Sequence, residues 1–251
     1  MGLTAKSTGI YAFLEELNQT PVKVDAVVAL AGNPNTGKST VFNGLTGLNQ
    51  HTGNWPGKTV VLAKGSYHHQ DKNIILVDLP GTYSLLANSA DEQVARDFIC
   101  FGNPDATVVV ADATCLERNL NLVLQVMEIT PKTILCVNLM DDAKRKRMEI
   151  NCDKLEEILG IPVIPTVARD KTGLNDLKDA VHQGVFRYCG NQPKQMLYNK
   201  SIETAVDEIQ GDVESLFQGK LNSRWVALRL LDGDETIIDE MLHYLVRIQP
   251  L

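Results

Sequence analysis

The chain has 251 residues, enough for one large domain or for one domain with a smaller second unit. Hydrophobic residues make up 44% of the sequence and charged residues 22%, which excludes the disordered and collagen-like classes, and the net charge of −7 argues against nucleic acid as a partner. No apolar run approaches the roughly 18 residues that cross a bilayer, and the N-terminus has no apolar signal-peptide core, so the sequence predicts a soluble, cytosolic chain.

The predicted elements begin with a short amphipathic helix over residues 9–18 and continue as alternating strands and helices. Continuous apolar runs are typical of a parallel sheet that is covered on both faces. Five such runs are predicted as strands: residues 24–31, 74–77, 107–111, 133–137 and 163–164. Helical periodicity marks the segments between them: residues 39–48, 91–101, 117–128, 152–159 and 174–186. The alternation predicts an α/β domain with a doubly wound, mostly parallel sheet.

Three amphipathic helices are predicted after residue 190, where the strand signals stop. The stripe of the first helix consists of Ile202, Ala205, Val206, Ile209, Val213, Leu216 and Phe217. We expect Ser223 to cap the second helix and Gly233 to lie just past its end. The apolar residues of this helix are Trp225, Leu228 and Leu231. The stripe of the third helix consists of Ile237, Ile238, Met241, Leu242, Leu245 and Val246. The predicted organisation is a lead-in helix (residues 1–23), an α/β domain (residues 24–190) and an all-helical unit (residues 191–251).

A phosphate-binding loop is predicted directly after the first strand, where residues 32–39 read GNPNTGKS. This is the G-x-x-x-x-G-K-S pattern in its strand–loop–helix context. Its glycines let backbone N–H groups converge on phosphate oxygens at a helix N-terminus. Lys38 is expected to bind the β and γ phosphates, and the Ser39 hydroxyl is expected to bind Mg²⁺. The predicted nucleotide-binding residues here are Gly32, Asn33, Pro34, Asn35, Thr36, Gly37, Lys38, Ser39 and Thr40.

The sequence Asn138-Leu139-Met140-Asp141 follows the strand at residues 133–137 and predicts the base. A carboxylate such as that of Asp141 accepts two parallel hydrogen bonds from N1–H and the exocyclic amine of guanine, and adenine has no such donor pair. Val167, Ala168 and Arg169 follow the last predicted strand, and the Ala168 N–H is expected to reach guanine O6. The predicted substrate is therefore GTP, with GDP as the product.

Two further segments predict a nucleotide switch. Asp78-Leu79-Pro80-Gly81 ends a strand, so Asp78 is expected to hold Mg²⁺ through water and the Gly81 N–H to sense the γ-phosphate. The earlier loop contains Gly57, Lys58 and Thr59, and Thr59 is the expected switch threonine whose hydroxyl reaches Mg²⁺ only in the triphosphate state. Trp55 in that loop fits a mobile segment or an ordinary core anchor equally well.

The motifs GNPNTGKST, GNWPGKT, VDLPGTYSL and NLMD, in this order, resemble the N-terminal G domain of the FeoB ferrous-iron transporters. The most specific tract is residues 49–86, because Asn-Trp-Pro-Gly before the switch threonine is unusual among GTPases. The resemblance covers about residues 25–190, and the trailing helices are similar to the family's nucleotide-dissociation-inhibitor-like domain. It implies a Ras-like P-loop GTPase fold at the cytoplasmic face of the bacterial inner membrane.

The same resemblance implies partners and a way of hydrolysing GTP. The partner is the transmembrane permease domain of the full-length protein, through which the chain would also form homo-oligomers. Thr82 stands where Ras-like proteins have a water-orienting Gln, which the family also lacks. In FeoB-like GTPases the asparagine matching Asn35 binds K⁺, which replaces an arginine finger. The resemblance thus implies catalytic roles for Asn35, Lys38, Thr59 and Gly81, Mg²⁺ at Ser39, Thr59 and Asp78, and K⁺ at Asn35.

Three functions remain to be compared. The first is a module that binds and slowly hydrolyses GTP and regulates ferrous-iron transport by an attached membrane domain. The alternative is a soluble GTPase of ribosome or tRNA maturation, which would share every G motif but would be expected to carry a basic RNA-binding appendage. The third is a GTP-binding switch without useful catalysis, which the missing Gln allows.

The guanine loop departs from the family pattern at one position, because Val167 stands where the family commonly has Ser.

Overall fold

The computed structural model describes residues 23–47, 50–54, 60–86, 89–187 and 193–248. Within these residues the strands form one seven-stranded sheet, in the order β2-β3-β4-β1-β5-β6-β7. The strands are β1 (Ala26–Gly32), β2 (Gln50–Asn54), β3 (Val61–His69), β4 (Lys72–Asp78), β5 (Ala106–Asp112), β6 (Thr133–Asn138) and β7 (Val163–Pro165). The α-helices around the sheet are α1 (Lys38–Thr46), α2 (Ala90–Phe101), α3 (Leu116–Ile129), α4 (Met140–Arg145), α5 (Cys152–Leu159) and α6 (Leu174–Phe186). Three more helices follow: α7 (Lys200–Phe217), α8 (Ser223–Asp232) and α9 (Glu235–Ile248).

The doubly wound, mostly parallel sheet is confirmed. β1 pairs in parallel with β4 and β5, β5 with β6, and β6 with β7. β2 and β3 extend the sheet in antiparallel pairing beyond β4 and were not predicted as strands. In β3 buried positions are interspersed with open ones, because this end of the sheet is not covered on both faces. Continuous apolar runs, from which the parallel strands are predicted, are therefore absent from β3.

Two apolar layers cover the sheet. On one face, side chains of β1 such as Val28 and Leu30 pack against α1 and α6 and are fully buried. On the other face, the core contains α2, α3 and the helical unit formed by α7–α9. Because β1, β4, β5 and β6 are parallel, their carboxyl ends meet at one edge of the sheet, and the loops that follow them lie there.

The helical unit shares its core with the α/β domain. Phe217, Trp225, Ile237 and Met241 are buried in the same cluster as residues of α2 and α3, and the rings of Phe101 and Tyr244 lie 5.4 Å apart. The prediction that Ser223 caps the second helix is wrong. The cap is Asn222, whose side chain accepts a hydrogen bond of 3.1 Å from Trp225 N.

The predicted apolar stripes are wrong at four positions, which the structure leaves exposed: Leu216, Leu231, Leu242 and Val246, with exposed fractions of 46%, 47%, 55% and 71%. These residues lie at the margin of each stripe, where the sequence period does not distinguish a buried position from a neighbouring open one. The stripe residues nearest the core, including Val206, Val213 and Phe217, are buried as predicted.

A buried arginine joins α2 to the helical unit. Arg96 is only 1% exposed, its Nε and Nη2 donate to Asp97 Oδ1 at 3.0 and 2.9 Å, and its Nη1 donates to Thr236 Oγ1 at 2.9 Å. Asp234 Oδ2 lies 3.6 Å from the same Nη1. We expect Arg96→Ala to lower the free energy of unfolding by about 3–5 kcal/mol, because Asp97 would stay buried without its guanidinium. Urea unfolding measures this; a change comparable to that of the exposed-pair variant Lys154→Ala would contradict it.

Several predicted features lie outside the described residues, namely the helix at residues 9–18, Trp55, Gly57, Lys58, Thr59 and Cys189. The wide spacing of the five cysteines, without a CxxC pair, predicts buried or half-buried thiols. Cys100 and Cys136 are buried and Cys152 is intermediate, but the prediction is wrong for Cys115, which is exposed at the start of α3. No helix in the described part of the chain is both long and apolar enough to span a bilayer.

Candidate nucleotide-binding site

The phosphate loop connects the carboxyl end of β1 to α1. Asn35 and Gly37 have φ angles of 66° and 78°, so the chain turns through two left-handed positions before the helix begins. The turn is fixed internally by Thr36 Oγ1, which donates to Asn33 O at 2.9 Å. The loop therefore has the compact shape that directs backbone N–H groups at the helix N-terminus toward an anion.

Gly37 lies against the base-recognition segment. A Cβ atom at this position would lie 2.5 Å from Asn138 Nδ2, closer than real contacts allow. We expect Gly37→Ala to lower both the free energy of unfolding and the affinity for GTP, each by about 1–3 kcal/mol, because positive φ and the clash act together. Gly47→Ala is the matched control, since Gly47 has φ 64° but meets nothing within 4 Å. Equal effects of the two substitutions in urea unfolding and nucleotide titration would contradict the role of the close approach.

Lys38 and Asp78 contact each other across the site. The Lys38 Nζ donates to the Asp78 carboxylate and to the Leu79 carbonyl oxygen, and both charged side chains are largely buried. Burial raises the pKa of Asp78, and the Lys38 charge opposes that rise. Ser39 lies exposed at the start of α1. A hydroxyl and a carboxylate at neighbouring loop ends are the hard oxygen donors that Mg²⁺ prefers, so these residues fit the predicted ion.

Asn138 holds three loops together at the end of β6. It is 1% exposed, its Nδ2 donates to Thr36 O at 3.0 Å, and its Oδ1 accepts from Thr166 Oγ1 and Ala168 N at 3.1 and 3.0 Å. In this structure the Ala168 N–H donates to Asn138, and its hydrogen bond to guanine O6 stays a prediction. The sequence predicts no role for Thr166, whose hydroxyl donates to Asn138 in this network.

Asp141 lies in the first turn of α4, and the cap residue of this helix, Leu139, adopts a left-handed φ of 62°. Its Oδ2 accepts a hydrogen bond of 3.0 Å from Arg169 Nη2, and its side chain is 28% exposed. Arg169 also donates to Asp170, and the Asp170 hydrogen bond is the main cause of the raised pKa of Arg169. Arg169 thus contacts the carboxylate that is predicted to select guanine, while Val167 is half-buried behind it.

The segment after Asp78 contains buried side chains, one of which forms hydrogen bonds within the segment. Leu79 is 1% and Thr82 3% exposed, and the Thr82 hydroxyl is engaged with Ser84, donating to its carbonyl oxygen and accepting from its N–H. Thr82 consequently does not take the place of a water-orienting side chain. Gly81 lies against Pro34 of the phosphate loop, as its predicted proximity to the phosphates requires.

Gln125 of α3 accepts hydrogen bonds from this segment, at 2.7 Å from Leu85 N and 3.3 Å from Ser84 Oγ. Nearer the start of α3, the Arg118 guanidinium lies 4.3 Å from the ring centroid of Tyr83. Neither α3 residue was singled out from the sequence, because both lie in an ordinary amphipathic helix without a motif. The structure thus adds α3 to the predicted site.

The structure brings the phosphate loop, residues 78–81, residues 138–141 and residues 167–169 to the carboxyl edge of the sheet. It describes no position for Gly57, Lys58 and Thr59. Comparison with known families identifies this arrangement. The family model described as "Ferrous iron transport protein B" matches residues 26–181, more than half of the chain.

The chain belongs to the FeoB family.

A second model, the FeoB cytosolic helical domain, matches residues 198–245, which form most of α7–α9. The Fe(2+) transporters FeoB of Shigella flexneri and Escherichia coli K12 are both 39% identical over 212 residues. This similarity covers 82% of the chain but 27% of each relative, so the chain spans about a quarter of their length.

Solved structures of FeoB domains resemble the chain in fold as well. The cytosolic domain of T. maritima FeoB in its GDP form I has a TM-score of 0.79 at 34% identity, covering 90% of this chain and 87% of that one. The cytosolic domain of L. pneumophila FeoB has a TM-score of 0.77 at 33% identity, covering 90% and 89%. The chain therefore has the FeoB G domain, a GTPase family, followed by the FeoB helical domain.

Proposed function

We propose that this chain binds GTP with Mg²⁺, hydrolyses it slowly, and through its nucleotide state regulates ferrous-iron transport by a permease domain of the same full-length protein. The observation that carries the proposal is the link through Asn138, which hydrogen-bonds both the phosphate loop and the loop at residues 166–168. This link between a phosphate loop and an N-x-x-D segment supports a guanine nucleotide as the ligand. The FeoB relatives favour this function over ribosome or tRNA maturation.

Binding of the nucleotide would rearrange the charges that contact each other in this structure. Lys38 would leave Asp78 for the β and γ phosphates, where its charge offsets theirs. Burial raises the pKa of Asp78, and the departure of Lys38 would remove the positive charge that opposes that rise. Mg²⁺ would supply that charge, held by Ser39, Thr59 and Asp78. Backbone N–H groups of residues 35–40 would donate to phosphate oxygens at the start of α1.

Hydrolysis would depend on positioning rather than on a nucleophilic side chain. Phosphoryl transfer requires charge neutralisation around the γ-phosphate, and the Gly81 N–H and Thr59 would close on it in the triphosphate state. K⁺ at the Asn35 carbonyl would supply the charge that an arginine finger supplies elsewhere. Intrinsic GTP hydrolysis would be slow because the Thr82 hydroxyl is hydrogen-bonded to Ser84 and does not orient the attacking water.

The remaining parts of the proposal concern the full-length protein. The nucleotide module would lie at the cytoplasmic face of the inner membrane, next to the permease domain, and homo-oligomers would form through that longer chain. The helical unit would slow GDP release, because it shares a continuous core with α2 and α3. Support for a guanine nucleotide comes from the T. maritima FeoB cytosolic domain, whose structures are described as GDP and GMPPNP forms.

The test is phosphate release from GTP and from ATP by the purified chain, with Mg²⁺ and with EDTA. We expect slow release from GTP that depends on Mg²⁺, and no release from ATP above background. Lys38→Ala should abolish turnover, because the phosphates lose their point charge, while exposed Lys154→Ala should leave it unchanged. Equal turnover of ATP and GTP would contradict the proposed guanine site.

A further inference from the structure

Helix α3 contacts the second switch segment and the helical unit within a single turn. On the switch side, Gln125 Oε1 accepts from Leu85 N at 2.7 Å and from Ser84 Oγ at 3.3 Å. On the side of the helical unit, Glu128 accepts from the Tyr198 hydroxyl through its carboxylate and from Asn222 Nδ2 through its backbone oxygen at 2.9 Å. Residues three apart lie on the same side of a helix, about 4.5 Å apart along its axis.

The backbone of Tyr198 is anchored to the helical unit. Its backbone N donates to Glu203 Oε1 at 2.6 Å, and Arg224 holds the same carboxylate with two hydrogen bonds of 2.7 and 2.8 Å. Burial and the Glu128 carboxylate raise the pKa of Tyr198 to about 12. The phenol therefore stays protonated and donates a hydrogen bond to Glu128. A displacement of α3 therefore acts on the helical unit through this hydrogen bond.

The interface has room for such a displacement. A cavity of about 290 Å³ lies between the end of α3 and the helical unit, and its lining includes Met127, Glu128, Met196, Trp225 and Leu228. Packed interfaces without voids resist small shifts, whereas flexible methionine side chains beside open space adapt to them. On the opposite side the buried Arg96 contacts Thr236, which fixes the other end of the unit.

We propose that Gln125 is a positioning residue which, together with Glu128 three residues later on α3, couples nucleotide release at the second switch to the helical unit. The second switch segment is the element with two states, because it contacts the γ-phosphate of the triphosphate and has no such contact with the diphosphate. When Leu85 N donates to Gln125, the Tyr198 hydroxyl of the helical unit donates to Glu128, and GDP release is slow. This coupling rests on the proposed function, in which the helical unit slows GDP release.

A double-mutant cycle on the whole chain tests the coupling, with release of a fluorescent GDP measured by stopped flow. Gln125→Ala removes the acceptor for Leu85, and Tyr198→Phe removes the donor to Glu128. We expect each single variant to release GDP about fivefold faster, as the loss of one hydrogen bond predicts. The double variant should also be about fivefold faster, because either change alone already breaks the same connection.

Two controls separate coupling from loss of structure. Gln125→Glu keeps an acceptor oxygen and should release GDP at the wild-type rate, while Asn121→Ala changes an exposed residue one turn earlier on α3 and should have no effect. A double variant about 25-fold faster, the product of two independent effects, would overturn the coupling but leave the nucleotide site intact. Unchanged release in both single variants would also overturn it. Failure of the wild-type chain to bind the labelled GDP would instead overturn the proposed function.

Discussion

Substitution of Asp141 by Asn is expected to weaken GTP binding by about 3–5 kcal/mol, the value of roughly two charge-assisted hydrogen bonds. Asp141 lies in the first turn of α4, and its Oδ2 accepts from Arg169. A carboxylate accepts from both N1–H and the amine of guanine, whereas the amide of the substituted side chain would present one donor in place of an acceptor. The same amide matches the additional oxygen of xanthine, so preference should move toward xanthosine triphosphate.

Titration of both nucleotides into both proteins measures the change. Asp142→Asn is the matched control, because it removes a charge from the next residue, whose partner is Arg145 on the surface. We expect Asp142→Asn to change GTP affinity by less than about twofold, since this side chain lies outside the N-x-x-D motif. Full GTP affinity in the Asp141→Asn protein would show that this carboxylate does not select the base.

The second large effect concerns monovalent cations, and we expect K⁺ to accelerate GTP turnover at least about tenfold over Na⁺ or Li⁺. A positive group beside the bridging and γ oxygens can be worth about 10³–10⁵ in rate, and Thr82 leaves the site without a water-orienting Gln. Asn35 is exposed in the phosphate loop, where its carbonyl can reach a cation. Smaller ions would fit a K⁺-sized shell poorly, so their effect should be weak.

Replacing Asn35 tests the origin of this acceleration, but its left-handed φ of 66° complicates the simplest substitution. Ala would remove the carbonyl and also introduce backbone strain of about 1–2 kcal/mol. Gly removes the carbonyl without strain, so Asn35→Gly and Asn35→Ala should lose K⁺ activation alike while GTP affinity stays within a few-fold. Equal turnover in K⁺ and Na⁺ for the unmodified chain, at saturating GTP with Mg²⁺, would contradict the role of K⁺.

The sequence by itself determined the parallel part of the sheet, its order of elements and most of the nucleotide motifs. Cys152–Leu159 and Leu174–Phe186 begin and end where their periodicity predicts, because each has a clear apolar face and a clear boundary. The GNPNTGKS loop and NLMD were recognisable because strand ends, glycine turns and a helix start are local features. Their convergence at one edge follows from parallel pairing alone.

Only the tertiary structure decided which polar groups contact each other. The Ala168 N–H donates to Asn138, and the Lys38 ammonium to Asp78, in pairs separated by 30 and 40 residues that no local pattern encodes. The same is true of Gln125 and Glu128, which look like ordinary helix-surface residues until the switch segment and the helical unit contact them. Hydrophobic periodicity specifies which face of a helix is buried, but partners across that face depend on how whole elements pack.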